Sequence, residues 1–259
     1  MVSCINDDVD TKKVLVLGHG GGGFTGYFPP NSQSAILQSL LMENADGVEV
    51  DIQPTSDAAI VLFHEPNYEL STSGQGAIVE NTSQNATTYH FSAMKSENIW
   101  TLGALLHFID SLKLNVWLSL NIQPNYATVG KEKFNELLET GLRNAFEKYS
   151  NCSQVILESR DETNLLSCQN LKNDFGVKLY LTQPITDEFL TFADNNGFDG
   201  FVTNYLDETE ETVLKARQKG FSISLYGLKI RQDFPRAINL NPDFVQTDNV
   251  ALTLSFLGR

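Results

Sequence analysis

Two acidic residues stand two positions apart in an apolar stretch of this 259-residue chain. On a β-strand, Glu49 and Asp51 would point to one face, while Val48, Val50 and Ile52 would point to the other face for packing. Two carboxylates on the buried side of a strand are costly unless a positive charge lies between them. A divalent cation is the simplest candidate for that charge.

Two histidines close apolar runs on either side of this strand in the sequence. His19 follows the run 14–17 and precedes the glycine string 20–23, and His64 ends the run 60–63. Chain segments that leave a strand often carry functional groups, because the scaffold holds them in place. The two imidazoles are therefore candidates for the same site as the carboxylates.

Strand-like runs alternate with segments of helical period along the rest of the chain. The predicted strands are 14–19, 47–53 with its continuation 60–64, 116–122, 155–159, 178–182, 200–203, 222–226 and 244–247. The predicted helices are 32–43, 102–112, 131–149, 162–173, 187–195, 208–219 and 232–238. The strands are almost continuously apolar, as parallel strands covered on both faces should be.

These elements predict a closed (β/α)8 barrel with an insertion after the second strand pair. We count eight βα units when 60–64 is treated as an extension of the second strand. The expected organisation is a flexible tail over 1–12 and one barrel domain over 13–259. Chemistry in such barrels lies at the carboxyl ends of the strands, where His19, Asp51, His64 and Asn121 fall.

The segment 65–98 interrupts the alternation and is rich in Ser, Thr, Asn and Gly. A stretch of this length without clear periodicity is typical of a lid, a small inserted subdomain or a disordered excursion. Because it begins directly after His64, we expect a lid or subdomain over the site.

Composition excludes two broad classes of function. The net charge of −14 argues against a nucleic-acid binder, which needs clustered Lys and Arg. The sequence also has no apolar run near the roughly 20 residues that a membrane helix needs. A protein this acidic would need local positive charge to bind an anionic phosphate, and a metal ion supplies it.

Three cysteines are present, and none has metal-ligand spacing. Cys152 and Cys168 flank one predicted strand–helix unit and could form a disulfide. Cys4 precedes a short acidic lead-in, which suits either an acylated N-terminus, although no signal peptide is visible, or a disordered tail with an incidental thiol. The first alternative slightly favours an extracytoplasmic, lipid-anchored location.

Several motifs together resemble the glycerophosphodiester phosphodiesterase family. They are Gly18-His19-Gly20-Gly21, Pro29-Pro30-Asn31-Ser32, the stretch 44–57 containing Gly47-Val48-Glu49-Val50-Asp51, Phe63-His64-Glu65-Pro66 and Leu70-Ser71-Thr72-Ser73-Gly74-Gln75-Gly76. The resemblance is specific over 14–76 and weaker, but in phase, as far as 244–248. It implies a hydrolase acting on a small phosphodiester.

The resemblance also implies roles for individual residues. Glu49 and Asp51 would bind a Ca²⁺ or Mg²⁺ ion that holds the phosphodiester, and the third metal ligand of the family falls on Asn121. His19 and His64 would act as general base and general acid, one accepting the proton of an attacking hydroxyl and the other protonating the leaving alkoxide.

Four positions depart from the family pattern. Gly20 replaces an Arg, Pro30 a Glu, Asn121 a Glu and Gln123 a Lys, so positive and negative groups are lost together. The backbone N–H groups of Gly20 and Gly21 could partly replace the lost phosphate contacts. The other substrate-binding candidates are Gln123, Glu158, Tyr226 and Lys229.

Three functions remain open at this point. The first is a metal-dependent enzyme that hydrolyses or cyclises a glycerophospho-type diester. The second is a non-catalytic binding protein on the same scaffold, favoured by the losses at Gly20, Asn121 and Gln123. The third is a phospholipase D-like enzyme acting on lysolipid head groups, which an apolar lid would support and the polar composition of 65–98 does not.

Overall fold

A closed parallel barrel forms the body of the protein. A computed structural model describes residues 14–25 and 27–259. Eight parallel strands follow one another around the barrel, and pairing of the first strand with the second closes it, which confirms the predicted (β/α)8 fold. These strands are β1 (Leu15–Gly18), β2 (Gly47–Pro54), β6 (Trp117–Ile122), β7 (Val155–Ser159), β8 (Lys178–Leu181), β9 (Gly200–Asn204), β10 (Ser222–Leu228) and β11 (Phe244–Thr247).

Strand β3 (Ile60–Leu62) is not a barrel strand. It pairs antiparallel with the end of β2, as expected for an extension of the second strand. The sequence tail 1–12, including Cys4, lies outside the described residues.

The helices, apart from α2 in the insertion 65–98, cover the outside of the barrel. They are α1 (Gln33–Leu37), which continues as a π-helical turn over Gln38–Met42, α2 (Ser83–Ala86), α3 (Leu102–Ser111), α4 (Lys131–Phe146), α5 (Glu162–Ser167), α6 (Gln169–Phe175), α7 (Asp187–Asn195), α8 (Glu210–Gln218), α9 (Phe234–Asn239) and α10 (Val250–Phe256). The predicted helix 162–173 is in fact two helices that meet at Cys168. Helix α10, which packs against β1, was not predicted. None of the helices in the described part of the chain has the length and apolar character of a membrane span.

Strand alternation separates two cores. The outward residues Val48, Val50 and Ile52 join the large core between barrel and helices. Inside the barrel, a smaller core containing Leu17, Ile156, Tyr180, Val202 and Phe244 fills the interior. Because this apolar plug occupies the interior, the polar inward side chains collect at the carboxyl ends of the strands.

The insertion 65–98 is an ordered subdomain. It contains α2 and a hairpin of β4 (His90–Phe91) with β5 (Met94–Asn98). Its own apolar cluster joins Tyr68, Ile78 and Phe91 to Val61 and Phe63 of the β3 segment. These contacts fix the subdomain beside His64, and a lid function for it remains a prediction.

The two cysteines of the described residues do not pair. Cys152 and Cys168 are both buried, free thiols, so the disulfide considered from the sequence does not form. Burial raises the pKa of the Cys168 thiol to about 12, and it remains protonated at neutral pH.

Candidate active site

A cavity of about 250 Å³ opens at the carboxyl ends of the barrel strands. Seven of the residues singled out from the sequence line it: His19, Asp51, His64, Asn121, Gln123, Glu158 and Tyr226. Three of these side chains form a row on neighbouring strands. Asp51 pairs with Asn121 across β2 and β6, and Asn121 pairs with Glu158 across β6 and β7. Parallel pairing therefore brings these side chains to one level.

His19 is oriented by a carboxylate from the last strand. Its Nδ1–H donates to Asp248 Oδ1 over 2.7 Å, and its Nε2 lies 3.9 Å from Glu49 Oε2. Burial by itself would lower the pKa of His19, but the hydrogen bond with Asp248 and the negative charges of Glu49, Asp248 and Asp51 raise it to about 9. The ring is thus held with Nε2 toward the acidic interior.

Glu49 lies below the cavity wall and is fully buried. The backbone N–H of Gly20 donates to its Oε2 over 2.8 Å. Its Oε1 has no hydrogen-bond partner among residues 14–25 and 27–259. Burial, together with the charge of Asp51, raises the pKa of Glu49 well above its usual range. A cation would stabilise this carboxylate in its ionised form.

Asp51 is surrounded by amide donors. The side-chain N–H groups of Asn31, Asn121 and Gln123 donate to its carboxylate over 2.9, 3.2 and 2.6 Å. Asn31 also accepts the Asp51 backbone N–H over 2.9 Å, which fixes that segment against β2. Neutral amides therefore occupy positions where the family pattern has a charged pair.

Glu158 is another buried acid, and Asn121 separates it from Asp51 in the row. Ser119 Oγ–H and Gln246 Nε2–H donate to its Oε2 over 2.6 and 2.8 Å. Burial raises the pKa of Glu158, although both hydrogen bonds oppose that shift. Its carboxylate adds to the negative potential that faces His19.

Gly20 and Gly21 do not line the cavity, and their role in binding an anion remains a prediction. The Gly20 N–H is already bonded to Glu49. Gly21 has a φ of +69°, and a Cβ there would lie 2.6 Å from Ile36 Cγ1. Glycine is needed here because a side chain would collide with α1.

Substrate binding by Lys229 remains a prediction. Its side chain is exposed, its backbone N–H donates to Asp233 over 2.8 Å, and it does not line the cavity. The reason is the length of β10, which runs on to Leu228 and carries Lys229 into the following loop.

Arg160 is the basic side chain that sequence reasoning missed. It directly follows β7, is exposed and lines the cavity. The same rule that selected His19 would have found it, since both residues come immediately after a barrel strand. Asp248, which follows β11 and ends the stretch 244–248, carries the same signal.

The donor set fits a hard divalent cation that keeps water ligands. Among the described residues no group of three or more His, Cys, Asp or Glu side chains converges as a ready metal site. Glu49 nevertheless offers an unpartnered, buried carboxylate oxygen beside Asp51. Mg²⁺ is commonly held by one or two carboxylates, with water and substrate phosphate as the other ligands. The amide of Asn121 turns its nitrogen to Asp51, so its role as a ligand would require the opposite orientation.

Comparison with known proteins decides the family. A sequence model described as the glycerophosphoryl diester phosphodiesterase family matches residues 23–252. The chain belongs to this family. Family and fold together make it a phosphoric diester hydrolase, and members of the family generally use a divalent cation.

Solved structures of glycerophosphodiester phosphodiesterases share the fold. A phosphodiesterase of Oleispira antarctica, in complex with the product sn-glycerol-3-phosphate, has a TM-score of 0.80 at 17% identity and covers 95% of this chain and 97% of its own. The enzyme from Parabacteroides distasonis has the same TM-score, identity and coverage. A glycerophosphodiester phosphodiesterase of Caldanaerobacter subterraneus is 31% identical over 70 residues, which are 27% of this chain and 28% of that protein.

Proposed function

We propose that this family member is a metal-dependent phosphodiesterase that cleaves glycerophosphodiesters to an alcohol and a glycerol phosphate. The observation that carries the proposal is that His19 and His64 line the same cavity as Asp51. Two imidazoles beside a bound phosphodiester can act together, one accepting the proton of the attacking oxygen and the other donating a proton to the departing oxygen.

Glu49 and Asp51 would hold the divalent cation, which would bind the phosphodiester and stabilise the charge that develops on its oxygens. Glu49 is kept in place by the N–H of Gly20, and Asp51 by the amides of Asn31 and Gln123. Asn121 would complete the set through its carbonyl oxygen. Fixed carboxylates reduce the reorganisation needed when the substrate arrives.

The two histidines would divide the proton transfers. One imidazole accepts the proton of the attacking hydroxyl as its oxygen bonds to phosphorus. The bond from phosphorus to the other alcohol then breaks, and the second imidazole donates its proton to that departing oxygen, which leaves a cyclic glycerol phosphate. Water then attacks phosphorus and gives a proton to the second imidazole, the bond from phosphorus to one ring oxygen breaks, and the first imidazole returns its proton to that oxygen to give glycerol phosphate. Asp248 supports this role for His19 by fixing which ring nitrogen faces the cavity.

Arg160 would contact the phosphate in place of the cations that the family pattern has at Gly20 and Gln123. It is the arginine on the wall of the cavity formed by the described residues, and its exposed guanidinium is free to turn inward. A guanidinium matches the geometry of a phosphate with two parallel hydrogen bonds. Tyr226 and Glu158 would line the space for the glycerol moiety.

Turnover measurements test the proposal. Purified protein is assayed on a panel of glycerophosphodiesters with Ca²⁺, with Mg²⁺ and with EDTA, alongside His19→Ala and His64→Ala. We expect each substitution to lower kcat by roughly 10²- to 10⁴-fold, the range for one acid–base group. His107→Ala is the matched control, because His107 is an exposed residue of α3 away from the cavity. Activity that persists in EDTA or in both variants would refute the proposal.

A non-catalytic phosphodiester-binding protein is the second candidate. It is favoured by the environment of Asp51, whose carboxylate already accepts three amide hydrogen bonds, from Asn31, Asn121 and Gln123. In that case calorimetry would detect binding of glycerophosphodiesters, while the turnover panel would show no difference between wild type and His19→Ala.

A further inference from the structure

A second cavity lies on the other side of His64. Its volume is about 310 Å³, and His64 is shared between its wall and that of the catalytic cavity. Asn31 also lines it, and the amide of Asn31 is bonded to Asp51. The two cavities therefore share His64, and Asn31 connects the wall of the second cavity to Asp51 of the first.

The wall of this second cavity is mainly apolar. Pro29 and Pro30 form one side, and Phe63, Phe91 and Ala93 form the other. Phe91 and Ala93 belong to the β4–β5 hairpin of the insertion, so this segment, although polar in composition, presents an apolar surface next to the site. Leu70, directly before a lining serine, is 62% exposed and extends the apolar character outward.

Charge in this cavity is limited to its edge. Glu65 lines it and accepts a hydrogen bond from Ser71 over 3.1 Å. An aromatic cage for a cation needs open ring faces. The ring of Phe63 instead packs against Tyr68 and Phe91, with centroids 5.5 and 6.2 Å apart. The cavity is thus better suited to an uncharged group than to a quaternary ammonium group.

We infer that this cavity binds an uncharged apolar arm of the substrate, so that the enzyme prefers amphipathic diesters over small polar ones. The inference rests on the proposed function, because it takes the phosphate to lie between His64 and Asp51. One alcohol of the diester then extends into the polar catalytic cavity, and the other extends between the proline segment and the hairpin. The apolar arm is either an alkyl alcohol or a short acyl chain on glycerol.

A series of glycerophospho-n-alkyl esters, from methyl to hexyl, tests the preference. Each methylene that enters the cavity should raise kcat/KM by up to about fourfold, the equivalent of burying one CH₂ group. The 3,3-dimethylbutyl ester, a neutral isostere of the choline ester, should be cleaved faster than glycerophosphocholine. A short-chain lysophosphatidylcholine, compared with the hexyl ester, distinguishes an acyl arm from an alkyl arm.

Ala93→Asp places a charge on the cavity wall at an exposed turn position, where folding should tolerate it. We expect it to abolish the gain with chain length, so that kcat/KM no longer rises from the methyl to the hexyl ester. Ala127→Asp, also at an exposed turn but outside this cavity, is the matched control and should retain the gain. A flat series in the wild type, faster cleavage of the choline ester, or an unchanged gain in Ala93→Asp would overturn the inference.

Binding separates this inference from the proposed function. Methyl n-alkyl phosphates carry no attacking hydroxyl, and their affinity can be measured by calorimetry without turnover. Affinity that rises with chain length in the wild type but not in Ala93→Asp supports the apolar site even if no diester is cleaved. Cleavage of every ester at one rate, with constant affinity, supports the enzyme and refutes the apolar site.

Discussion

Replacing Asp248 by Asn tests the hydrogen bond that orients His19. The change keeps the size of the side chain and removes the charge that faces His19 Nδ1 at 2.7 Å. A hydrogen bond to a charged group contributes about 1.5–3 kcal/mol, which is equivalent to roughly 1–2 pKa units. The pKa of His19, raised to about 9 in the wild type, should therefore fall by that amount and stay above 6.5 because Glu49 remains.

The sign of the stability change follows from the same shift. The folded-state pKa of His19 is higher than its ordinary value of 6.5, so the interaction stabilises the fold fully below pH 6.5. This stabilisation is lost as the pH rises through about 9. Asp248→Asn should thus lower the free energy of unfolding by about 1.5–3 kcal/mol at pH 6 and by much less at pH 10.

NMR titration of the His19 ring, with EDTA present, measures the pKa directly, and urea unfolding at the two pH values measures the stability. We expect kcat/KM of the metal-loaded enzyme to fall roughly 10- to 150-fold, from the same energy. Asp174→Asn is the control, since Asp174 is half exposed and forms an ion pair with Arg143 outside the site. An unchanged His19 pKa, or an equal stability loss at both pH values, would refute the reasoning.

Three further substitutions test other parts of the structure. Glu49→Gln should stabilise the metal-free protein by about 1–3 kcal/mol at pH 8, because it removes a buried carboxylate whose pKa is raised. The same substitution should abolish the rise in Tm that Mg²⁺ causes in the wild type. Thermal melts with and without EDTA check both results. Arg160→Met should lower kcat/KM roughly 10- to 150-fold if its guanidinium binds the phosphate, whereas Arg231→Met, at an exposed arginine away from the cavity, should not. Asp161→Ala should cost about 1 kcal/mol above pH 4 through loss of the α5 cap. Burial by itself would raise the pKa of Asp161, but the hydrogen bond from Lys131 outweighs it, and the pKa is lowered to about 2. The cost of the substitution should therefore vanish as the pH falls through about 2.

Local patterns in the sequence were sufficient to predict the barrel fold and to place Glu49 and Asp51 on the inner face of β2. The two-residue period of β2 placed Glu49 and Asp51 inside and Val48 and Val50 outside, and the structure has both as expected. Asn44, the residue after the predicted helix 32–43, has a φ of 58°, the left-handed conformation in which helices often end. These features depend on neighbouring residues alone, which is why periodicity and capping chemistry reveal them.

Contacts between distant strands could not be read in the same way. Asp248, which bonds to His19, is 229 residues away from it, and whether Arg160 or Lys229 reaches the cavity wall depends on where β7 and β10 end. The apolar cavity beside His64 exists only because the insertion folds against the proline segment. Closure of a barrel brings together side chains from all of its strand ends, so register and loop packing, which are properties of the whole tertiary structure, decide which of them meet.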